Sequence, residues 1–101
     1  SGNGAQTIDF NSSTSAHLAR TFTLSGGNAT FTFSNPPKVG SLITIILVQD
    51  GTGSRTVTWP ATVKWSGGTA PTLTTTASKR DVFTFVYDGS NYYNTSQQLN
   101  Q

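Results

Sequence analysis

From Arg55 to Tyr93 the chain is a succession of short β-branched and aromatic runs, each stopped by Gly, Pro or Asp-Gly before it reaches helical length. Within the runs the apolar residues alternate. Phe83, Phe85 and Tyr87 share one face, with Thr84 and Val86 between them. Period-2 alternation of this residue type is the mark of a strand on a packed sheet. Turn signals recur roughly every 8 to 15 residues along the whole chain, the spacing of an all-β domain. Composition points the same way. The 101 residues contain no glutamate, and only 10% are charged, whereas Thr (18), Ser (12) and Asn (7) supply the polarity. Long surface helices draw on Glu, Lys, Arg and Ala; Thr, Val, Phe and Tyr suit a pleated, half-buried surface.

The pattern predicts a strand over 5–10 and a loop over 11–15. A second strand over 17–24 has Leu18, Phe22 and Leu24 on one face, interrupted by Arg20. Ser25-Gly26-Gly27-Asn28 reads as a tight turn into 29–33, making a hairpin, because Gly and Asn supply the positive φ of short connections. Pro36-Pro37 then forces an extended crossing. Further strands are expected over 42–49 and 55–59, with an edge piece at 63–65. A Gly-rich loop covers 66–71, and 72–78 is weak strand or coil. Residues 81–87 and 92–95 form a hairpin across Asp88-Gly89-Ser90-Asn91. No internal repeat is visible. These elements predict one domain over 1–101, a small antiparallel β-sandwich of jelly-roll type with no long helix, frayed over 1–4 and 96–101. The absence of Met suggests a piece of a longer polypeptide.

Candidate chemistry is sparse. His17 is the single histidine, and there is no Cys or Glu to join it. Asp9 and a serine could meet it across strands, yet no nucleophile motif supports a triad. A carboxylate pair would need two of Asp9, Asp50, Asp81 and Asp88, most of which stand beside Gly or at strand ends as ordinary turn residues. Asp50-Gly51-Thr52-Gly53-Ser54 and Asp88–Asn91 offer oxygens to a cation, but one carboxylate each, so turns are the better reading. No enzyme, metal or cofactor is expected. Net charge is +2 with scattered basic residues, which argues against a phosphate-tracking surface for nucleic acid. No segment approaches the ~18 apolar residues of a membrane span.

Two strands carry a sharper inference. Residues 42–48 and 82–86 are apolar on both faces, whereas a strand with one wet face should alternate. The extra face must be covered by a loop, by flanking sequence or by another subunit. Ile43, Ile45, Leu47, Val82 and Val86 are the candidate interface residues. The aromatics Trp59, Trp65, Tyr87, Tyr92 and Tyr93 gather in the second half, where they can fill a core or offer a sugar platform. Consecutive strand residues point oppositely, so one of Tyr92 and Tyr93 faces inward and the other outward. Candidate ligand-contact residues are Trp65, Tyr93, Ser90 and Asn91, with the loops at 11–15 and 66–70.

The order Thr52–Pro60, Val63-Lys64-Trp65, Gly67–Leu73 and Asp81–Gly89 resembles a recurrent module of tailed bacteriophages, found in tail-fibre, receptor-binding and related appendage proteins. Phe31–Pro37 and the strand ending Gln49-Asp50 extend the similarity to roughly residues 20 to 93. The resemblance implies a compact β-sandwich on the virion, commonly a homotrimer at a fibre tip, with receptor contacts in variable loops and no shared catalytic residues. The function expected is a non-enzymatic receptor-binding module whose partners are further copies of itself and a host-surface glycan or other virion proteins, with no nucleic acid and no membrane insertion. A capsid decoration or head-fibre protein is the first alternative. A carbohydrate-binding module appended to an enzyme is the second.

Overall fold

The computed structural model describes residues 2–12, 14, 16–65, 68 and 70–101. Its elements are β1 (Gly2–Asp9), β2 (His17–Ser34), β3 (Leu42–Gln49), β4 (Val57–Thr58), β5 (Val63–Lys64), β6 (Arg80–Tyr87) and β7 (Tyr92–Gln98). They form one sheet of order β1-β2-β3-β6-β7-β5, with β4 also on β2. The all-β expectation holds, and no helix of ordinary length occurs among the described residues.

The winding differs from an antiparallel jelly roll. β1 on β2, β2 on β3, β2 on β4 and β5 on β7 are parallel; β3 on β6 and β6 on β7 are antiparallel. The predicted hairpin at 25–28 is absent, because β2 is a single 18-residue strand. Residues 17–24 pair with β3, and 29–34 pair with β1. Gly26 (φ 77°) supplies the bend between these halves. Leu24 and Ala29 are both buried although five positions apart, so the alternation slips by one residue at the bend. Gly26 alone therefore supplies the positive φ expected of this segment, in a bulge rather than a reversal; Asn28 does not adopt one.

The registers of β1 on β2 and of β2 on β3 share one offset over most of their length. Gly4 pairs with Ala29 and Asp9 with Ser34; His17 pairs with Leu42 and Leu24 with Gln49. From Gly4 onward the partners lie 25 residues further along the chain (29 − 4, 42 − 17), whereas Gly2, beyond a register shift, pairs with Leu24. Successive stretches thus alternate between two layers in a solenoid-like coil, a structural repeat that the sequence hides. The Gly-Asn pair at 2–3 recurs at 27–28, although the register shift sets Gly2 opposite Leu24.

The layers enclose an aromatic core. Trp59 lies 5.5 Å from Phe31 on one layer, and 5.3 and 5.7 Å from Phe83 and Phe85 on the other. Phe33 meets Tyr92 at 4.8 Å. As expected, Phe83, Phe85 and Tyr87 share the buried face of β6. Ile43, Ile45 and Leu47 are 0%, 0% and 2% exposed. That corrects their assignment to an oligomer interface, because they fill this chain's own core. The outward parity of β3 belongs to Leu42, Thr44, Ile46 and Val48, which are half-buried alongside Val82 and Val86 of β6.

The expected fraying also gives way to pairing. β1 begins at Gly2, and β7 runs to Gln98. Gln101 N donates to Arg80 O (2.9 Å), and Arg80 N donates back to Gln101 O (3.0 Å). The buried Asp81 carboxylate accepts from Thr74 N (2.6 Å) and Asn100 N (2.9 Å), tying the 72–78 coil and the C-terminal segment to β6. Gln49 closes the same end. Its Nε2 donates to Arg55 O and Thr74 O (2.8 Å each), and its Oε1 accepts from Arg55 N (3.1 Å).

Candidate functional site

The outer face of the layer formed by residues 17–24, β3, β6 and β7 follows from the registers. One row across it runs His17, Leu42, Val86, Tyr93. A second runs Ala19, Thr44, Thr84, Ser96, and a third runs Thr21, Ile46, Val82, Gln98. The apolar pairs Leu42–Val86 and Ile46–Val82 flank a central Thr44–Thr84 pair, with Arg80 as a charged member at the end of the face. Because neighbours on a flat sheet shield one another, these apolar groups are half-buried rather than free.

The first row ends at a loop cluster. Tyr93 is 39% exposed and Tyr92 is buried, as strand alternation requires. Val39, 63% exposed, belongs to the neighbouring connection. A Cβ on Gly89 would lie 3.3 Å from its Cγ2, so this connection touches the β6–β7 loop. Asp88 organises that loop. Its Oδ1 accepts from Ser90 N (2.8 Å) and Asn91 N (2.7 Å). Those bonds, Asn91 first and then Ser90, with a further one from the Tyr93 side chain, hold the Asp88 carboxyl below its usual 3.8. Ser90 is exposed and Asn91 half-buried beside Tyr93. Structure thus gathers three of the four sequence-predicted contact residues at one corner.

Trp65 is the exception. It stacks edge-on against Trp59 (5.3 Å), Phe85 (5.5 Å) and Phe83 (5.8 Å), which makes it part of the core margin instead of an exposed platform. Val39 and Leu42 join the corner and were missed from sequence. Val39 sits between Pro37 and Gly40 in a connection too short to show a period; Leu42 needed the phase of β3. The loops at 11–15 and 66–70 fall partly outside the described residues, so their contact role is not placed.

The carboxylates are committed to local structure. Asp9 Oδ1 accepts from Asn11 N (2.7 Å) and Asn35 Nδ2 (3.1 Å). Asp50 Oδ1 accepts from Gly53 N (2.9 Å) and Thr52 N (3.1 Å), while its Oδ2 meets Arg55 at 3.1 Å. Both carboxyls are lowered, Asp9 chiefly by Asn11 N–H and Asp50 chiefly by Gly53 N–H. No concave pocket and no cluster of metal-ligating side chains occurs among the described residues. His17 lies on the outer sheet face, in the row of Leu42 rather than in a cleft.

The described residues thus form a charge-poor β-coil with an exposed aromatic corner and no pocket. Residues 6–92 match the family described as "Putative phage tail fibre C-terminal domain". The chain belongs to that family and is a tail-fibre module of a phage virion. No curated protein and no solved structure matches it significantly.

Proposed function

We propose that this module is the receptor-contacting tip of its fibre, that it is not an enzyme, and that the corner formed by Val39, Tyr93, Ser90 and Asn91 rests on a host-surface glycan. The observation that carries this reading is the exposure of Val39 and Tyr93 at one end of the fold, beside a loop whose backbone Asp88 holds rigid. A flat ring covers the C–H face of a sugar, and the loop hydroxyl and amide bond to its rim. One such contact is weak, and several copies on a fibre gain by avidity. A homotrimer built on the apolar groups of the outer sheet face, Ile46, Val48, Val82 and Val86, supplies those copies.

Immobilised bacterial polysaccharides probed with the wild-type module and with Tyr93→Ala test the reading. The expected result is retention by the wild type and about a tenfold loss for the variant, which corresponds to roughly 1.4 kcal/mol per site. Equal binding by both proteins would remove the corner from receptor contact. Light scattering on the same samples is expected to give a mass near three times 10.7 kDa. A 10.7 kDa particle would remove the trimer.

A further inference from the structure

The first row of the outer sheet face continues past Tyr93. Tyr93 pairs in register with Lys64 of β5, just as the buried Tyr92 pairs with the buried Val63. Partners on neighbouring strands stand about 4.8 Å apart and point to the same side of the sheet. Lys64 is exposed and so is Tyr93, which sets a cation at the flank of the aromatic ring.

A second cation belongs to the same corner. Lys38 precedes Val39 in the connection between β2 and β3, and both residues are exposed. The connection is held in place, because Ser41 N donates to Lys38 O (3.2 Å) and Gly40 N donates to Tyr87 O (2.6 Å) at the end of β6. Asp88 is the acid of the corner, and its charge is already engaged. Ser90 N, Asn91 N and the Tyr93 side chain all donate to its carboxylate. That last bond also fixes the ring and leaves its face open to a ligand. Neither lysine has a carboxylate partner; among the described residues the ion pair is Arg55 with Asp50.

Two unpaired cations beside one satisfied carboxylate make this corner complementary to a negative group on whatever rests against Tyr93. Lysine meets an anion as a point charge, and the planar fork of arginine, which suits phosphate, does not stand beside Tyr93. We propose that the glycan bound here is an acidic polysaccharide, with one hexuronate stacked on Tyr93, its carboxylate on Lys64 Nζ, and Lys38 attracting further carboxylates along the chain. This rests on the receptor reading of the corner and narrows it to a charge class. A uronate carries its carboxylate at the ring edge, so its C–H face covers the tyrosine while the edge meets the neighbouring lysine.

Solid-phase binding of the whole chain to polygalacturonate, alginate and hyaluronate, each beside its carboxyl-reduced counterpart, tests the assignment. The wild type is expected to be retained by at least one acidic polymer. Carboxyl reduction should weaken that retention about fivefold or more, as should raising NaCl from about 0.05 to 0.5 M. Lys64→Gln is expected to lose about fivefold and Lys64→Arg to keep its binding. Lys79→Gln, beyond the opposite end of β6, should match the wild type. Equal retention of acidic and reduced polymers, with Lys64→Gln unchanged and Tyr93→Ala weakened, would overturn the acidic ligand and leave the corner standing. A Tyr93→Ala variant that binds as well as the wild type would remove the corner and the uronate together. A loss in Lys79→Gln equal to that in Lys64→Gln would reduce the effect to diffuse charge and overturn the site. Retention by none of the three acidic polymers would also overturn the uronate, and a phosphate-bearing mannan run in parallel would then show whether a different anion takes its place.

Discussion

At the scale of single residues, two buried polar side chains hold the irregular end of the molecule. Gln49 is 3% exposed and its amide meets three backbone groups of the 55 and 74 segments. Gln49→Leu fits the space but leaves two carbonyls and an N–H without partners. Since stranded buried groups cost about 1–3 kcal/mol apiece and water reaches some of them, a loss of about 2–4 kcal/mol is expected, read as a lower urea midpoint with unchanged slope. Asp81 does comparable work for Thr74 and Asn100. Neither role is legible from sequence. Gln49 stands at the end of an apolar run and Asp81 at the start of one, where a polar residue reads as a strand boundary. Their far partners, Thr74 and Asn100, are 25 and 19 residues away.

Among the elements, the connection before β3 and the 50–54 turn show how glycine divides into two kinds. Gly53 has φ 75°, and a Cβ there would come 2.5 Å from Thr75 O and 2.8 Å from Ala77 N. Gly40 has φ 88° with nothing within 4 Å of its would-be Cβ. Gly53→Ala is expected to cost at least about 2 kcal/mol, from backbone strain plus a clash with main chain that cannot swing away, whereas Gly40→Ala costs about 1 kcal/mol from strain alone. Thermal midpoints of the two variants give the comparison. The Asp50-Gly51-Thr52-Gly53 turn was legible from its residues, and so were the strands at 42–49 and 81–87. The phase of β3 was not. With apolar groups on both faces, Ile43 and Leu42 are equivalent in sequence, and only packing against Phe83 and Phe85 chose which parity went inside.

For the whole molecule, the titrating groups bracket stability on both sides. Asp9, Asp50 and Asp88 titrate below their usual 3.8 in the folded chain, so the stability they lend is present above that value and fades as pH falls through their lower folded range. Tyr92 is shifted oppositely, from 10.0 to about 12, by burial first and by the nearby Tyr87 second. The neutral ring is the one the fold accepts, so its contribution is intact below pH 10 and disappears between pH 10 and 12. Urea midpoints measured from acid to alkali should therefore form a plateau across neutral pH, with losses below about 4 and above about 10. A midpoint that keeps rising past pH 11 would contradict the placement of Tyr92.

Sequence alone determined that this chain is built of strands, where most of its turns lie, that Tyr92 and Tyr93 face oppositely, and that two strands have apolar groups to spare. Those properties are local: alternation, β-branching and the φ demands of Gly, Asn and Pro act over a few residues. Tertiary structure decided the rest. A 25-residue register that turns residues 17–34 into one bent strand is a relation between distant segments with almost no identical side chains. The Gly-Gly-Asn bend serves a bulge as readily as a hairpin, and the choice fell to the parallel partners on either side of it. The same long-range pairing brought Val39 beside Gly89 and Tyr93 onto the same end of the fold.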